Sequence, residues 1–146
     1  VTRFLRRDLM IKRIAHVGIA THSIAESMEF YKYLGLEVDS IEIIRDQKVK
    51  MASMKVGNSA IELIEAIEED SPVERFIETC GGGIHHITFE VDDLRKQLKF
   101  LKDKNVRLID EKPRRGAGGS LIAFIHPRST GGVLVELAQI ETEETS

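Results

Sequence analysis

"IAHVGIATHSIAESMEFYKYLGLEV", residues 14–38, and "GIHHITFEVDDLRKQLKFLKDKNVRL", residues 83–108, follow one plan. Sliding the first along the chain by 70 positions sets His16 on His86, Ile19 on Phe89, Ile24 on Leu94, Met28 on Leu98, Phe30 on Phe100, Leu34 on Lys104 and Leu36 on Val106. Self-similarity at a fixed offset marks an internal repeat. Each copy reads strand, helix, strand. In the first, Ser23 and Glu26 have capping-box spacing, in which a hydroxyl and a carboxylate each satisfy a free backbone N–H at a helix start. Ile24, Met28 and Tyr31 follow at helical spacing, and Gly35 ends the helix where a left-handed residue is wanted. In the second, Asp93 caps, Leu94, Leu98 and Leu101 form the apolar stripe, and Asn105 replaces Gly35.

The ends of the two copies also match. "GNSAIELIEA", residues 57–66, lies over "GGVLVELAQI", residues 131–140, and aligns Glu62 with Glu136. Here the offset is 74, so the second copy needs a small insertion, for which "PRRGAGGS", residues 113–120, is the natural place. Strand-like runs are expected at residues 36–44 and 49–56 in the first copy, and at 106–110 and 119–125 in the second. "DSPVERFIE", residues 70–78, reads as a short linker helix with Ser71 as cap, Pro72 in the first turn and Glu74 completing a capping box.

The fold expected is therefore α+β, two tandem βαβββ modules forming a shared curved mixed sheet. Module one spans residues 11–67, the linker helix 71–79 and module two 82–140, together a single domain. Residues 1–10 are set aside as an N-terminal extension because Met10 looks like a natural beginning. The acidic tail, residues 141–146, is poor in large apolar groups and expected to fray.

Composition narrows the function. At 146 residues with 42% apolar content the chain can bury an interior, and 21 basic against 24 acidic residues give a formal charge of −3. With no basic block, nucleic acid is not an expected partner. One cysteine, Cys80, excludes an internal disulfide framework or a cysteine-rich zinc site and fits a reducing compartment. It reads as a small buried apolar residue. No apolar run approaches the roughly 20 residues of a membrane span, and the charged N-terminus lacks the apolar region of a signal peptide. The expected location is cytoplasmic.

The chemistry sits at repeat-equivalent positions. Two βαβββ units side by side would bring equivalent strand residues together near a pseudo-twofold axis, and the ionisable pairs so repeated are His16 with His86 and Glu62 with Glu136. Two imidazoles and two carboxylates form a plausible divalent metal site, with two positions left open on an octahedral ion. His86 shares a strand face with Thr88 and Glu90, whereas His85 shares one with Ile87 and Phe89. The repeat selects His86 and assigns His85 to the outer, helix-covered face or a loop. A lone strand histidine is more often structural than a ligand, and His22 and His126 are read that way.

The paired modules with "HVGIAT", "IELIEA", "GGGIHHITFEVDDL" and "FIHPRSTGGVLVELAQ" resemble the vicinal oxygen chelate (glyoxalase/bleomycin resistance/dioxygenase) superfamily, and within it the methylmalonyl-CoA epimerases. The resemblance covers essentially residues 11–140. It implies an isomerase that interconverts (R)- and (S)-methylmalonyl-CoA by removing and replacing the proton between thioester and carboxylate, through an enolate whose charge a metal holds. It also implies His16, Glu62, His86 and Glu136 as ligands, Glu136 as acid/base, and a divalent ion, cobalt by family habit with nickel, manganese or zinc as options. The expected partners are the acyl-CoA substrate and a second copy in a homodimer. In some relatives the residue at Glu62 is glutamine. The loop "EKPRRGAGGS" resembles the family's substrate loop, implying that Gly116, Ala117 and Gly118 approach the substrate while Lys112, Arg114 and Arg115 could meet coenzyme A phosphates. The third strand, "QKVKMASM", departs from the family: Lys50 or its neighbours stand where some relatives carry a second basic glutamate, leaving a chelated water or Glu62 for that task. Alternatives are a glyoxalase I-like metal lyase, an extradiol dioxygenase and a metal-free binding protein on the same scaffold.

Overall fold

A computed structural model of the chain describes residues 11–140; the N-terminal extension and the acidic tail expected from the sequence lie outside these. The elements run β1 (Ile11–Ala20), α1 (Ile24–Tyr33), β2 (Ser40–Ile44), β3 (Val49–Val56), β4 (Ser59–Ala66), α2 (Pro72–Cys80), β5 (Gly83–Val91), α3 (Leu94–Asp103), β6 (Arg114–Arg115), β7 (Leu121–Ile125) and β8 (Leu134–Gln139). The strand, helix, three-strand order occurs twice, as the repeat requires. Among the described residues no helix is long and apolar enough to cross a membrane. The described residues divide into two compact units, His16–His86 and the rest of them, the division falling within β1 and within β5.

In the unit His16–His86 the strands are ordered β2-β3-β4-β1. β1 pairs parallel with β4, Gly18 opposite Glu62, while β2–β3 and β3–β4 are antiparallel. A strand has two faces, and here each has its own task. Leu63, Ala52 and Met54 are buried under Ile24 of α1, with Met28, Tyr31, Leu36 and Ile19 packed around them. The opposite face of β4 carries Glu62 and Ile64.

The other unit repeats this arrangement with strand order β5-β8-β7-β6. Val91, Ala123, Ile125 and Leu137 lie under Leu94 and Leu98 of α3. Leu94 is fully buried and Leu98 is 3% exposed, which contributes about 1.5–3 kcal/mol for each side chain. Ile122, Phe124 and Ala138 cluster on the reverse face, the one that also carries Glu136.

The helix ends show how closely the copies agree. Ser23 accepts from the amide of Glu26 at 3.2 Å, but the Ser23 amide donates to the Thr21 hydroxyl, not to the Glu26 carboxylate of the expected box. Asp93 accepts from the amide of Lys96. A strand side chain then adds a second cap to each: the Ile24 amide donates to Glu65 Oε1 and the Leu94 amide to Gln139 Oε1. Glu65 and Gln139 are themselves repeat-equivalent, three residues beyond Glu62 and Glu136. Both helices close with the 6→1 and 5→2 bonds of a Schellman motif, Leu36 to Tyr31 with Gly35 to Lys32, and Val106 to Leu101 with Asn105 to Lys102. Gly35 (φ 86°) and Asn105 (φ 61°) occupy the left-handed position, as their spacing predicts.

Three expectations are corrected. Residues 106–110 form no strand, only an isolated bridge between Leu108 and Ile125. The Asp110 carboxylate takes the Phe124 amide at 2.8 Å, replacing a ladder bond by a side-chain one, and regular pairing resumes at β6. Ser71 caps α2 through the Val73 amide, not by the Glu74 box, and its own hydroxyl donates to the Gln47 carbonyl. Cys80 is exposed, not buried, because α2 ends at Gly81 with its apolar face already supplied by Val73 and Ile77.

A candidate metal and active site

β1 presents His16 and, two residues on, Gly18 on one face. β4 sets Glu62 beside Gly18 in parallel register, and β5 brings His86. The absence of a side chain at Gly18 is a requirement: a Cβ there would lie 2.2 Å from Cε1 of His86, far inside van der Waals contact. His86 is therefore stacked against bare backbone and is 5% exposed.

Four side chains within this unit form a continuous series. Glu62 Oε2 lies 3.0 Å from His16 Nδ1. His16 Nε2 lies 3.1 Å from His86 Nε2, and His86 Nδ1 lies 2.9 Å from His85 Nδ1. Successive rings meet edge to face with centroids 5.2 Å apart. His85 also packs its ring against Phe76 of α2, centroids 5.1 Å apart. The expected helix-side location of His85 is thus realised through Phe76, and its Nδ1 in addition reaches back to His86.

These contacts favour metal ligation. An imidazole that donates Nδ1–H to a carboxylate presents Nε2 as a lone pair, the usual orientation of a ligating histidine. Two nitrogens each about 2.1 Å from one ion and about 90° apart stand about 3.0 Å from each other. The His16–His86 separation matches that spacing, which suits two adjacent ligands of an octahedral ion. The donor set is imidazole and carboxylate, appropriate to a hard or borderline divalent cation.

In the other unit, Glu136 on β8 is 5% exposed. The Thr88 hydroxyl, on β5, donates to its Oε1 at 2.5 Å. Thr88 is fully buried. Thr88 and Gly18 occupy equivalent places in the repeat, two residues after His86 and His16, and sequence reading assigned a role to neither. The available signal was the "H-x-G" against "H-x-T" difference between the copies.

The glycine-rich loop at residues 111–120 folds on itself. Gly116 N–H donates to the Ser120 carbonyl and Ser120 Oγ to the Ala117 carbonyl, while Gly118 adopts φ 64°. Of the three cations considered for phosphate contact, Arg114 stacks on Phe124, its guanidinium carbon 5.2 Å from the ring centre, and Arg115 donates to the Gly119 carbonyl. Lys112 is exposed. On β3, Met51 and Ser53 pair with Ile64 and Glu62 and so share the site face, whereas Lys50 pairs with Glu65 and lies on the helix-covered side. Lys50 therefore faces away from Glu62, while its neighbour Met51 faces the same side as Glu62. His22 is exposed, and His126 accepts the Arg128 amide in its own turn.

Repeated βαβββ modules with imidazole and carboxylate groups on the inner strand faces define the class, and the chain belongs to the glyoxalase/bleomycin resistance protein/dioxygenase superfamily, whose family description matches residues 15–124. It is 41% identical over 132 residues to the mitochondrial methylmalonyl-CoA epimerase of Dictyostelium discoideum, covering 88% of this chain and 79% of that one. It is 47% identical over 130 residues to the uncharacterized protein YqjC of Bacillus subtilis, covering 88% and 93%. Among solved structures, a variant of Streptomyces coelicolor methylmalonyl-CoA epimerase in complex with 2-nitronate-propionyl-CoA matches with TM-score 0.85 and 38% identity, over 89% of this chain and 95% of that one.

Proposed function

We propose that this chain is a metal-dependent epimerase that interconverts (R)- and (S)-methylmalonyl-CoA by abstraction and return of the α-proton. One observation carries the reading: repeat-equivalent imidazoles face each other through Nε2 at 3.1 Å, the first of them held by a carboxylate, in a chain 41% identical to an epimerase of that name. His16, His86 and Glu136 are the proposed ligands, and Glu62, read from the sequence as a fourth, is proposed to hold His16 through its Nδ1 instead. His16 and His86 stand together within the unit His16–His86, and Glu136 of β8 is proposed to complete the set. Bound there, a divalent cation would supply positive charge to two substrate oxygens and stabilise the charge left when the neighbouring C–H is deprotonated.

The protein's own groups move the proton. Glu136 is the proposed acid/base, its carboxylate fixed by the Thr88 hydroxyl. Inversion needs a second group on the opposite side of the α-carbon. β3 presents Val49, Met51, Ser53 and Lys55 on the site face, none of them a carboxylate, so Glu62 is the carboxylate assigned to that side. Gly116, Ala117 and Gly118 are proposed to border the acyl-CoA, in a loop already ordered by its own hydrogen bonds, which lowers the entropy lost on binding. Cobalt is the proposed native metal.

The test follows solvent deuterium into the α-position of methylmalonyl-CoA with and without chelator. Exchange is expected to require metal and to be lost in His86→Ala. Undiminished exchange in that variant would remove His86 from the ligand set. A glyoxalase-type lyase would instead consume a hemithioacetal and leave the α-proton unexchanged. We further propose a cytoplasmic homodimer, supported by Ile41 and Ile43, 59% and 51% exposed on β2, which a lone chain would leave in water. Sedimentation at a single-chain mass would oppose the dimer.

A further inference from the structure

We infer that His85 is a positioning residue for the metal site: its Nδ1 accepts the Nδ1–H of His86 and thereby fixes the tautomer in which His86 Nε2 is the ligating lone pair. This rests on the proposed metal role of His86.

A histidine that binds a cation through Nε2 carries its proton on Nδ1, and that proton needs an acceptor; in most sites a carboxylate or backbone carbonyl serves. For His16 the acceptor is Glu62. For His86 Nδ1 a ring nitrogen of the preceding residue lies at hydrogen-bonding distance, 2.9 Å away. Side chains of strand neighbours ordinarily diverge, so this contact needs His85 to be held back, and Phe76 of α2 does that by lying edge-on to its ring at 83°. Because an imidazole has two nitrogens with opposite roles when neutral, a His85 that accepts at Nδ1 keeps its proton on Nε2. The two equivalent ligands are therefore oriented by different chemistry: a charged acceptor behind His16, a neutral one behind His86. The linker helix, through Phe76, becomes part of the metal site's support.

Two substitutions separate the acceptor from the packing. His85→Phe keeps a ring against Phe76 but removes the acceptor, whereas His85→Asn places an amide oxygen near the position of Nδ1. Cobalt(II) is titrated into each purified chain and followed by its visible absorption and by calorimetry, with thermal melting of the metal-free chains as a check on folding. Affinity is expected to fall about 10–100-fold in His85→Phe, the range for loss of a partner behind a ligand, and to stay within about threefold of wild type in His85→Asn. On the zinc-loaded protein, the Nδ1–H proton resonance of His86 is expected in wild type and His85→Asn, and lost to solvent exchange in His85→Phe. Wild-type affinity in His85→Phe would overturn the inference, as would equal loss in both variants, which would make the contribution one of packing. If the wild-type chain takes up no cobalt, the metal reading itself fails and the inference with it; retained cobalt binding with unaltered His85 variants sinks only the inference. Should His85→Phe melt early, His85→Leu provides the same comparison.

Discussion

Gly18 and Thr88 hold equivalent places in the repeat and act in opposite ways: one makes room, the other makes a bond. With a Cβ at Gly18 placed 2.2 Å from the His86 ring, Gly18→Val must displace either the strand or the imidazole. Overpacking of this kind costs about 1–3 kcal/mol, which denaturant unfolding would measure, and cobalt affinity is expected to fall in the same variant. Thr88→Val keeps the shape but removes the donor to Glu136. A hydrogen bond to a charged group contributes about 1.5–3 kcal/mol, so a loss near that size in unfolding free energy is expected, with slower α-proton exchange. Unchanged exchange in Thr88→Val would mean that the hydroxyl does not hold the carboxylate in its working position. The histidine and glutamate pairs stood out in the sequence because ionisable groups recur at equivalent strand places. The glycine and the threonine did not, because each matters only through the side chain above it. The contact of His85 was hidden for a related reason: alternation along a strand fixes the face a side chain leaves from, but its torsions and the Phe76 ring decide where it ends.

At the scale of elements, the helix stripes were plain from spacing, since Ile24, Met28 and Tyr31, and Leu94, Leu98 and Leu101, lie in the two helix-covered cores. Leu98→Ala is expected to cost about 2–5 kcal/mol, read from chemical denaturation. The positive-φ helix ends at Gly35 and Asn105 were equally legible, because few residues tolerate that conformation. The reciprocal half of each capping box was not. The Thr21 hydroxyl takes the Ser23 amide and the Glu68 carbonyl takes the Ser71 amide, and neither acceptor lies within the four-residue window that defines the motif. Glu65 and Gln139 are the sharper omission, as each caps a helix from a strand some 41 to 45 residues away. Gln139→Leu should destabilise the chain by about 0.5–2 kcal/mol, and loss of protection at the Leu94 amide in hydrogen exchange would locate the effect. Residues 106–110 were misread as a strand because their apolar pattern is right; the Asp110 carboxylate, by claiming the Phe124 amide, ends regular pairing there.

For the whole molecule, recognition of one plan written twice carried most of the fold, and it works because a duplicated unit keeps its caps, its apolar stripe and its strand parity together. What duplication conceals is divergence, since aligned positions invite aligned roles. The structure assigns different tasks to Gly18 and Thr88, different partners to His16 and His86, and an ordered extra loop to the second copy alone. The halves are consequently no longer interchangeable. A protein assembled from two first halves would have no hydroxyl to steady a carboxylate; one assembled from two second halves would drive a threonine into the space a ring must fill. Ancestral symmetry was given up at the smallest residue in the site, and any attempt to restore it by fusing identical halves has to begin by choosing a side for that glycine.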